Sequence, residues 1–201
     1  DLVCDSDLET RMLAKDIAAN YALDGYTLEI PILESEIKKK NSARNDIRNF
    51  VGAIQNAKLP LTEERLFAWH AAIGQNKVKS FRTKESVAGT FTGVSPERIP
   101  LEIGRFIDWF ENSTQDGAIK AAIAHFWFLT IRPFEDGNGR IARLMVNYIL
   151  TRHDYPMIVV RSREKKEYLE ALHQADLEVG PVPSDGAHAE IKDIKPFLKY
   201  F

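Results

Sequence analysis

The densest run of apolar positions lies between residues 117 and 130, where Ala, Ile, Phe, Trp and Leu follow one another with no Gly or Pro between Gly117 and Pro133. A run of that length predicts a helix buried in the core, and Pro133 ends it near residue 131 because its ring disfavours helix at the preceding residue. Beyond a short polar break, Leu144, Met145, Tyr148 and Ile149 recur at helical spacing. They predict a second helix from Gly139 or Arg140 to about Arg152, broken by His153, Asp154, Tyr155 and Pro156. The centre of the chain is thus a helix, a tight loop and a helix.

Elsewhere the apolar stripes are narrower. Residues 7–23, with Met12, Leu13, Ile17 and Leu23, predict an amphipathic helix capped by Asp or Ser and stopped at Gly25. Residues 31–40 predict a short helix whose end, Lys38, Lys39 and Lys40, complements the helix dipole. Residues 45–57 are amphipathic through Ile47, Phe50, Val51 and Ile54, and Thr62, Glu63, Glu64 and Arg65 open a helix carrying Leu66, Trp69, His70 and Ile73 as far as Gly74. The pattern changes over 77–95: Val78, Phe81, Val87, Thr90, Phe91 and Thr92 favour strand and Gly89 and Gly93 favour turns, which predicts a β-hairpin. Pro100 then opens a helix along which Leu101, Ile103, Phe106, Ile107, Trp109 and Phe110 pack. A further helix over 163–175 turns Tyr168 and Leu172 inward, and the Gly/Pro-rich loop 180–186 leads to a terminal helix over 191–201. The expected fold class is mainly α, a helical bundle with one small β-hairpin.

Composition narrows the function classes. With 201 residues, 44% of them hydrophobic, the chain can bury one substantial core. A formal charge of -2, with Lys and Arg scattered, leaves no chain-wide basic footprint for nucleic acid. The single cysteine, Cys4, excludes a disulfide framework and a Cys-based metal site. No apolar run approaches a membrane span and the first residues lack the basic and apolar regions of a signal peptide, so no membrane partner and a cytoplasmic location are expected. His70 has no partner at metal-ligand spacing and reads as a packed or capped histidine; His125 reads as a hydrogen-bonded core histidine.

The chemistry gathers in the loop Arg132-Pro133-Phe134-Glu135-Asp136-Gly137-Asn138-Gly139-Arg140-Ile141-Ala142-Arg143. Two glycines around one Asn let the backbone reach positive φ and turn N–H groups inward at the positive end of the second helix, which makes an anion cradle. Arg140 and Arg143, three apart, share a face of the first turn and can both reach a phosphate there. Cations at that end oppose the helix dipole, so they suit an external anion better than they suit the helix. Asp136 stands at the lip of the cradle, where a carboxylate can hold Mg²⁺ against phosphate oxygens. Phe134 would anchor the loop in the core. The bland alternative is a good turn followed by two solvated arginines.

The whole string resembles the signature of the Fic family, His-x-Phe-x-Asp/Glu-Gly-Asn-Gly-Arg-x-x-Arg, with Phe134, Asp136, Gly137, Asn138, Gly139, Arg140 and Arg143 all matching. The first position departs from it: Arg132 stands where the family has histidine. Similarity extends upstream through residues 124–131, over 59–73, and weakly across nearly the whole chain. The resemblance implies a Fic fold over 1–201, with N-terminal helices over 1–58 and a core over 59–201, after which such proteins often continue into a winged helix, a possible downstream domain. It implies a protein adenylyltransferase, which moves AMP from ATP to a Ser, Thr or Tyr hydroxyl of a target protein. The position of Arg132 would hold the general base, Asp136 would hold Mg²⁺, Gly137, Asn138 and Gly139 would bind phosphate through their backbone, and Arg140 and Arg143 would grip the triphosphate. Asn138, Arg140 and Arg143 are therefore catalytic as well as nucleotide-binding candidates.

The same resemblance makes 77–95 a flap that docks a target protein by strand addition, although the connections after Gly74 and before Pro96 look short for the family. It makes Tyr168 a candidate for the adenine pocket, beside the competing reading that Tyr168 is core. Family members often carry an inhibitory helix, Ser/Thr-x-x-x-Glu-Gly/Asn, and Asn20-Tyr21-Ala22-Leu23-Asp24-Gly25 occupies that place. Asp24 keeps the charge with a reach shorter by about 1.5 Å, one methylene. A regulatory Asp24 paired with Arg143 and a plain helix stop both stand at this point. A homodimer is left open, and nucleic acid enters as a partner only through a possible downstream domain. Arg132 decides the expected activity: a guanidinium has no acceptor site and stays protonated, so it cannot serve as a general base. The expected protein is a nucleotide-binding Fic type with AMP transfer impaired; the alternative is a protein-interaction module, with or without nucleotide.

Overall fold

The computed structural model describes residues 6–39, 44–73, 80–89, 91–180, 192 and 194–200. The elements run α1 (Ser6–Leu23), α2 (Ile30–Lys38), α3 (Asn45–Gln55), α4 (Glu63–Ile73), β1 (Val87–Ala88), β2 (Phe91–Thr92), α5 (Ile99–Asn112), α6 (Gly117–Ile131), α7 (Asn138–Arg152), α8 (Lys165–Val179) and α9 (Lys195–Leu198). Short 3-10 turns at Pro96–Arg98 and Ser162–Glu164 lead into α5 and α8. The strands pair antiparallel, Val87 opposite Thr92 and Ala88 opposite Phe91.

Helix α6 is the axis of the fold, as its unbroken apolar run requires, and all its residues from Lys120 onward are buried. Asp116 caps it by accepting the Ala118 N–H at 2.9 Å. Helix α7 packs along α6 more extensively than any other pair of elements pack, and α1, α3 and α4 cover its remaining sides. Aromatic side chains fill the gaps, with Phe106 edge-on to Trp127 at 5.5 Å and Phe110 tilted on Tyr148 at 6.0 Å. Because α7 lies between α6 and the N-terminal helices, its first turn is enclosed on several sides. No helix among the described residues is long and apolar enough to cross a membrane.

Several expectations need correction. Phe81 is in no strand: its ring stacks on Phe67 at 4.9 Å, so its aromatic character serves the core. Among the described residues the hairpin pairs at two positions, Val87 with Thr92 and Ala88 with Phe91. Leu101 is 55% exposed, because the buried stripe of α5 runs through Ile99, Glu102, Ile103, Phe106 and Phe110 and residue 101 falls outside it. Helix α7 begins at Asn138, one or two residues earlier than expected, and α8 continues past Ala175 to Val179, where Gly180 at φ +70° ends it. Helix α2 stops at Lys38 and, among the described residues, α9 covers Lys195–Leu198. Readings that involve Cys4, Lys40, Gly74, residues 77–79, Thr90, 181–191, residue 193 and Phe201 lie outside the described residues.

Candidate active site

The loop between α6 and α7 is held from within. Phe134 is fully buried and anchors it. The Asn138 side chain accepts from the Phe134 N–H at 3.0 Å and donates to the Phe134 carbonyl at 2.7 Å. That amide is therefore committed to closing the loop, and what Asn138 offers a ligand is its backbone. Gly137 takes φ +79° as the residue before α7, and a Cβ on Gly139 would come within 3.0 Å of an Arg143 nitrogen. From α4, His70 brings Nε2 to 3.0 Å from the Asp136 carbonyl and lays its ring on Phe134 at 4.2 Å. Burial pushes the His70 pKa below the ordinary histidine value, against the opposing pull of Asp136.

The two arginines converge on α1. Asp24 accepts from Arg140 Nη1 at 2.9 Å and from Arg143 Nη2 at 3.2 Å, one carboxylate oxygen each. The shorter side chain thus still reaches Arg143, and it takes Arg140 as well. Arg140 also donates to the exposed Asp136 carboxylate at 3.1 Å. Sequence reasoning placed Asn20 at the start of the inhibitory-helix-like segment without giving it a partner; its side-chain oxygen takes Arg143 Nε at 2.7 Å and its amide donates to the Arg140 carbonyl at 3.1 Å. One turn earlier, Asp16 accepts from the Asn147 amide at 2.7 Å. The signal was present in the sequence: Asp16, Asn20 and Asp24 are spaced four apart, a polar ladder on one side of an amphipathic helix, facing Arg140, Arg143 and Asn147 on α7.

Burial drives the Asp16 pKa up to about 7, opposed by Asn147 and Arg143. Between about pH 4 and 7 the native carboxyl keeps a proton that the unfolded chain has lost, so its contribution to stability falls as pH rises through that window. Asp16→Asn is expected to flatten this part of the stability profile and to gain on the order of 2–4 kcal/mol at pH 8. Urea unfolding at pH 5 and pH 8 checks it; equal effects at both pH values would mean that Asp16 is ionised in the native state throughout.

Arg132 closes α6 in the left-handed region, φ 49° and ψ 63°, with its N–H on the Phe128 carbonyl at 3.0 Å. Its Nε donates to Ser86 Oγ at 3.2 Å, and burial followed by the neighbouring Arg82 charge lowers its pKa from the ordinary arginine value. Arg82 was missed by sequence reasoning. It is buried and donates to the carbonyls of Arg132 at 2.6 Å, Lys84 at 2.6 Å, Ile131 at 3.3 Å and Val94. Gly93 leaves room for this arrangement, since a Cβ there would sit 2.6 Å from Arg82 Nη2 and 3.2 Å from the Arg132 Cβ.

The loop, Arg140 and Arg143 open onto a cavity of about 750 Å³, within the range of small-molecule sites. Asp136, Gly137, Asn138, Gly139, Arg140 and Arg143 line it together with Asp24, Arg132, the hairpin residues Ala88 and Phe91, and Tyr168 and Leu172 of α8. Tyr168 is buried, as its core reading requires, and also forms part of the cavity wall. Its hydroxyl meets His125 Nε2 at 2.9 Å. Burial and then the Arg143 charge take His125 down to about 3, so it is a neutral core histidine.

The Fic/DOC family profile matches residues 60–150. Over 98% of this chain and 85% of the other, the fold superposes with a TM-score of 0.79 on a Fic domain containing signaling protein from Bacteroides thetaiotaomicron, at 31% identity. The chain belongs to the Fic/DOC family. Fic-1 from Caenorhabditis elegans superposes with a TM-score of 0.72 at 26% identity, over 98% of this chain and 62% of that one. In sequence, the protein adenylyltransferase fic-1 of that organism is 34% identical over 122 residues, 59% of this chain. This Fic chain spans only about a fifth of the length of that curated relative, 21%. Among the described residues no group of three or more His, Cys, Asp and Glu could hold a metal. One exposed carboxylate, Asp136, at the cavity rim would suit Mg²⁺ only in its usual mode, in which phosphates of a bound ligand and water complete the coordination.

Proposed function

We propose that this Fic domain binds ATP with Mg²⁺ in the cavity at the start of α7 and is built for AMP transfer to a protein hydroxyl, a step that Arg132 impairs. The observation that carries the reading is the convergence of Arg140 and Arg143 on the Asp24 carboxylate at a helix N-terminus that lines the cavity. An internal anion already occupies the place where a phosphate would sit. In this reading the backbone of Gly137, Asn138 and Gly139 and the two guanidiniums bind the phosphates, and Tyr168 and Leu172 border the nucleoside. Asp136 holds Mg²⁺, which when bound neutralises charge on the phosphate oxygens. The target protein docks at the hairpin, where Val87 is 66% exposed and Ala88 and Phe91 reach the cavity. Asp24 is regulatory, since it competes with the ligand for both arginines.

Calorimetry with ATP and Mg²⁺ tests the reading. Arg143→Ala is expected to weaken binding by about 1–3 kcal/mol, the cost of a charged hydrogen bond. Asp24→Gly is expected to tighten it, because the internal competitor is gone. Absence of binding at millimolar ATP in all three proteins would favour a protein-interaction module without nucleotide.

A further inference from the structure

We propose that His70 is a positioning residue for the phosphate cradle: by holding the Asp136 carbonyl toward α4, it turns the Gly137 N–H toward the cavity as an anion donor. This rests on the reading of the loop as a phosphate site and names a residue of that site outside the motif, more than sixty positions upstream of it.

The imidazole is fixed before any ligand arrives. His70 sits in the last turn of α4, 5% exposed, with its ring centroid 4.2 Å from that of Phe134 and the two planes at 32°. Phe134 belongs to the loop that His70 grips and is itself fully buried, so packing sets the ring orientation and Nε2 falls 3.0 Å from the Asp136 oxygen. A carbonyl oxygen only accepts, so Nε2 carries the proton, and Nδ1 lies buried without a partner.

The consequence follows from the peptide plane. The chain has no cis peptide among its described residues, and across a trans peptide the carbonyl and the following N–H point in opposite directions. Tying the Asp136 oxygen to α4 therefore sends the Gly137 N–H away from α4. Gly137 lines the cavity, and its N–H finds no protein acceptor among the described residues. Backbone sterics do not select this orientation. Gly137 is at φ +79°, and glycine populates positive and negative φ about equally, so the 136–137 peptide can flip without a Cβ penalty. Neighbouring groups have other tasks: the Asn138 amide is committed to Phe134, and the Asp136 carboxylate to Arg140. His70 is the side chain that holds this peptide oxygen.

The test compares His70→Phe, which keeps a packed ring without the donor, with His70→Gln, which keeps an N–H of similar reach. NMR without ligand reads the peptide directly. The NOE between Asp136 Hα and the Gly137 amide proton is expected to change in His70→Phe and to persist in His70→Gln, and imidazole ¹⁵N shifts of the unaltered protein are expected to show the Nε2–H tautomer. Titration with ATP free of Mg²⁺, which leaves Asp136 out of the comparison, is expected to show affinity about tenfold weaker in His70→Phe and largely restored in His70→Gln. An Nδ1–H tautomer, an unchanged NOE in His70→Phe, or equal weakening in both variants would overturn the proposal. Failure of the unaltered protein to bind ATP would remove the phosphate reading alone, since the NOE and the tautomer still decide what His70 does to the peptide. Should His70→Phe not fold, the tautomer and the His70→Gln comparison keep the question decidable.

Discussion

Arg132→His is expected to raise AMP transfer to a protein hydroxyl by about 10²–10⁴-fold, the usual worth of a positioned general base. A neutral imidazole can take the hydroxyl proton as the oxygen attacks the α-phosphate, whereas the guanidinium of Arg132 has no lone pair to offer. The backbone already suits the change. Residue 132 sits at φ 49°, a region in which histidine is enriched among side-chain-bearing residues, and its carbonyl and N–H are held by Arg82 and Phe128 independently of the side chain. The measurement is label transfer from ATP with Mg²⁺ to candidate proteins and to the chain itself. A second pair of proteins carrying Asp24→Gly would keep the Asp24 carboxylate from masking the gain. Label in the histidine variants alone supports a site disabled at one position. Robust labelling by the unaltered chain would sink the argument and require another base, and silence from all four would point to a binding module.

Arg82→Met is expected to cost about 3–5 kcal/mol of folding stability, because four carbonyls lose a buried charged donor at about 1 kcal/mol or more each. Four carbonyls receive this guanidinium, two of them at the C-terminal end of α6, where a positive charge also meets the negative end of the helix. No water replaces it easily, because Arg82 is 4% exposed. Arg82→Lys is expected to recover only part of the loss, since one ammonium cannot span four acceptors held by a planar fork. Equilibrium urea unfolding reads both variants, and a loss below about 1 kcal/mol for Arg82→Met would mean that the carbonyls find other donors.

Much of the helical framework was legible from local pattern. The uninterrupted run of α6, its stop at Pro133, the helical spacing of Leu144, Met145, Tyr148 and Ile149, and the cap at Thr62, whose Oγ takes the Arg65 N–H at 3.2 Å, all depend on residues within a few turns of one another. The loop was legible as a helix start for the same reason, since its glycines, Asn138 and the apolar spacing that follows act without reference to the rest of the chain. The identity of Arg132 excludes a general base at that position in any fold. Phe81 and Leu101 were misread because strand propensity and helical periodicity report burial only loosely, and neighbouring elements decided where those side chains went.

Only the tertiary structure decided what meets the cradle. Asp24 and Asn20 reach Arg143 across 119 and 123 positions of sequence, His70 reaches Asp136 across 66, and Arg82 reaches Arg132 across 50. Spacing marks Asn20 and Asp24 as one polar ladder but names no partner for it, because each of these contacts depends on the rotation and offset of one helix against another. That is why the sequence by itself determined a mainly α chain whose Fic-type loop begins with an arginine, and why the pairing of both arginines with one aspartate, and the anchoring of the loop by Arg82 and His70, had to await the packing of α1, α4 and the hairpin around the ends of α6 and α7.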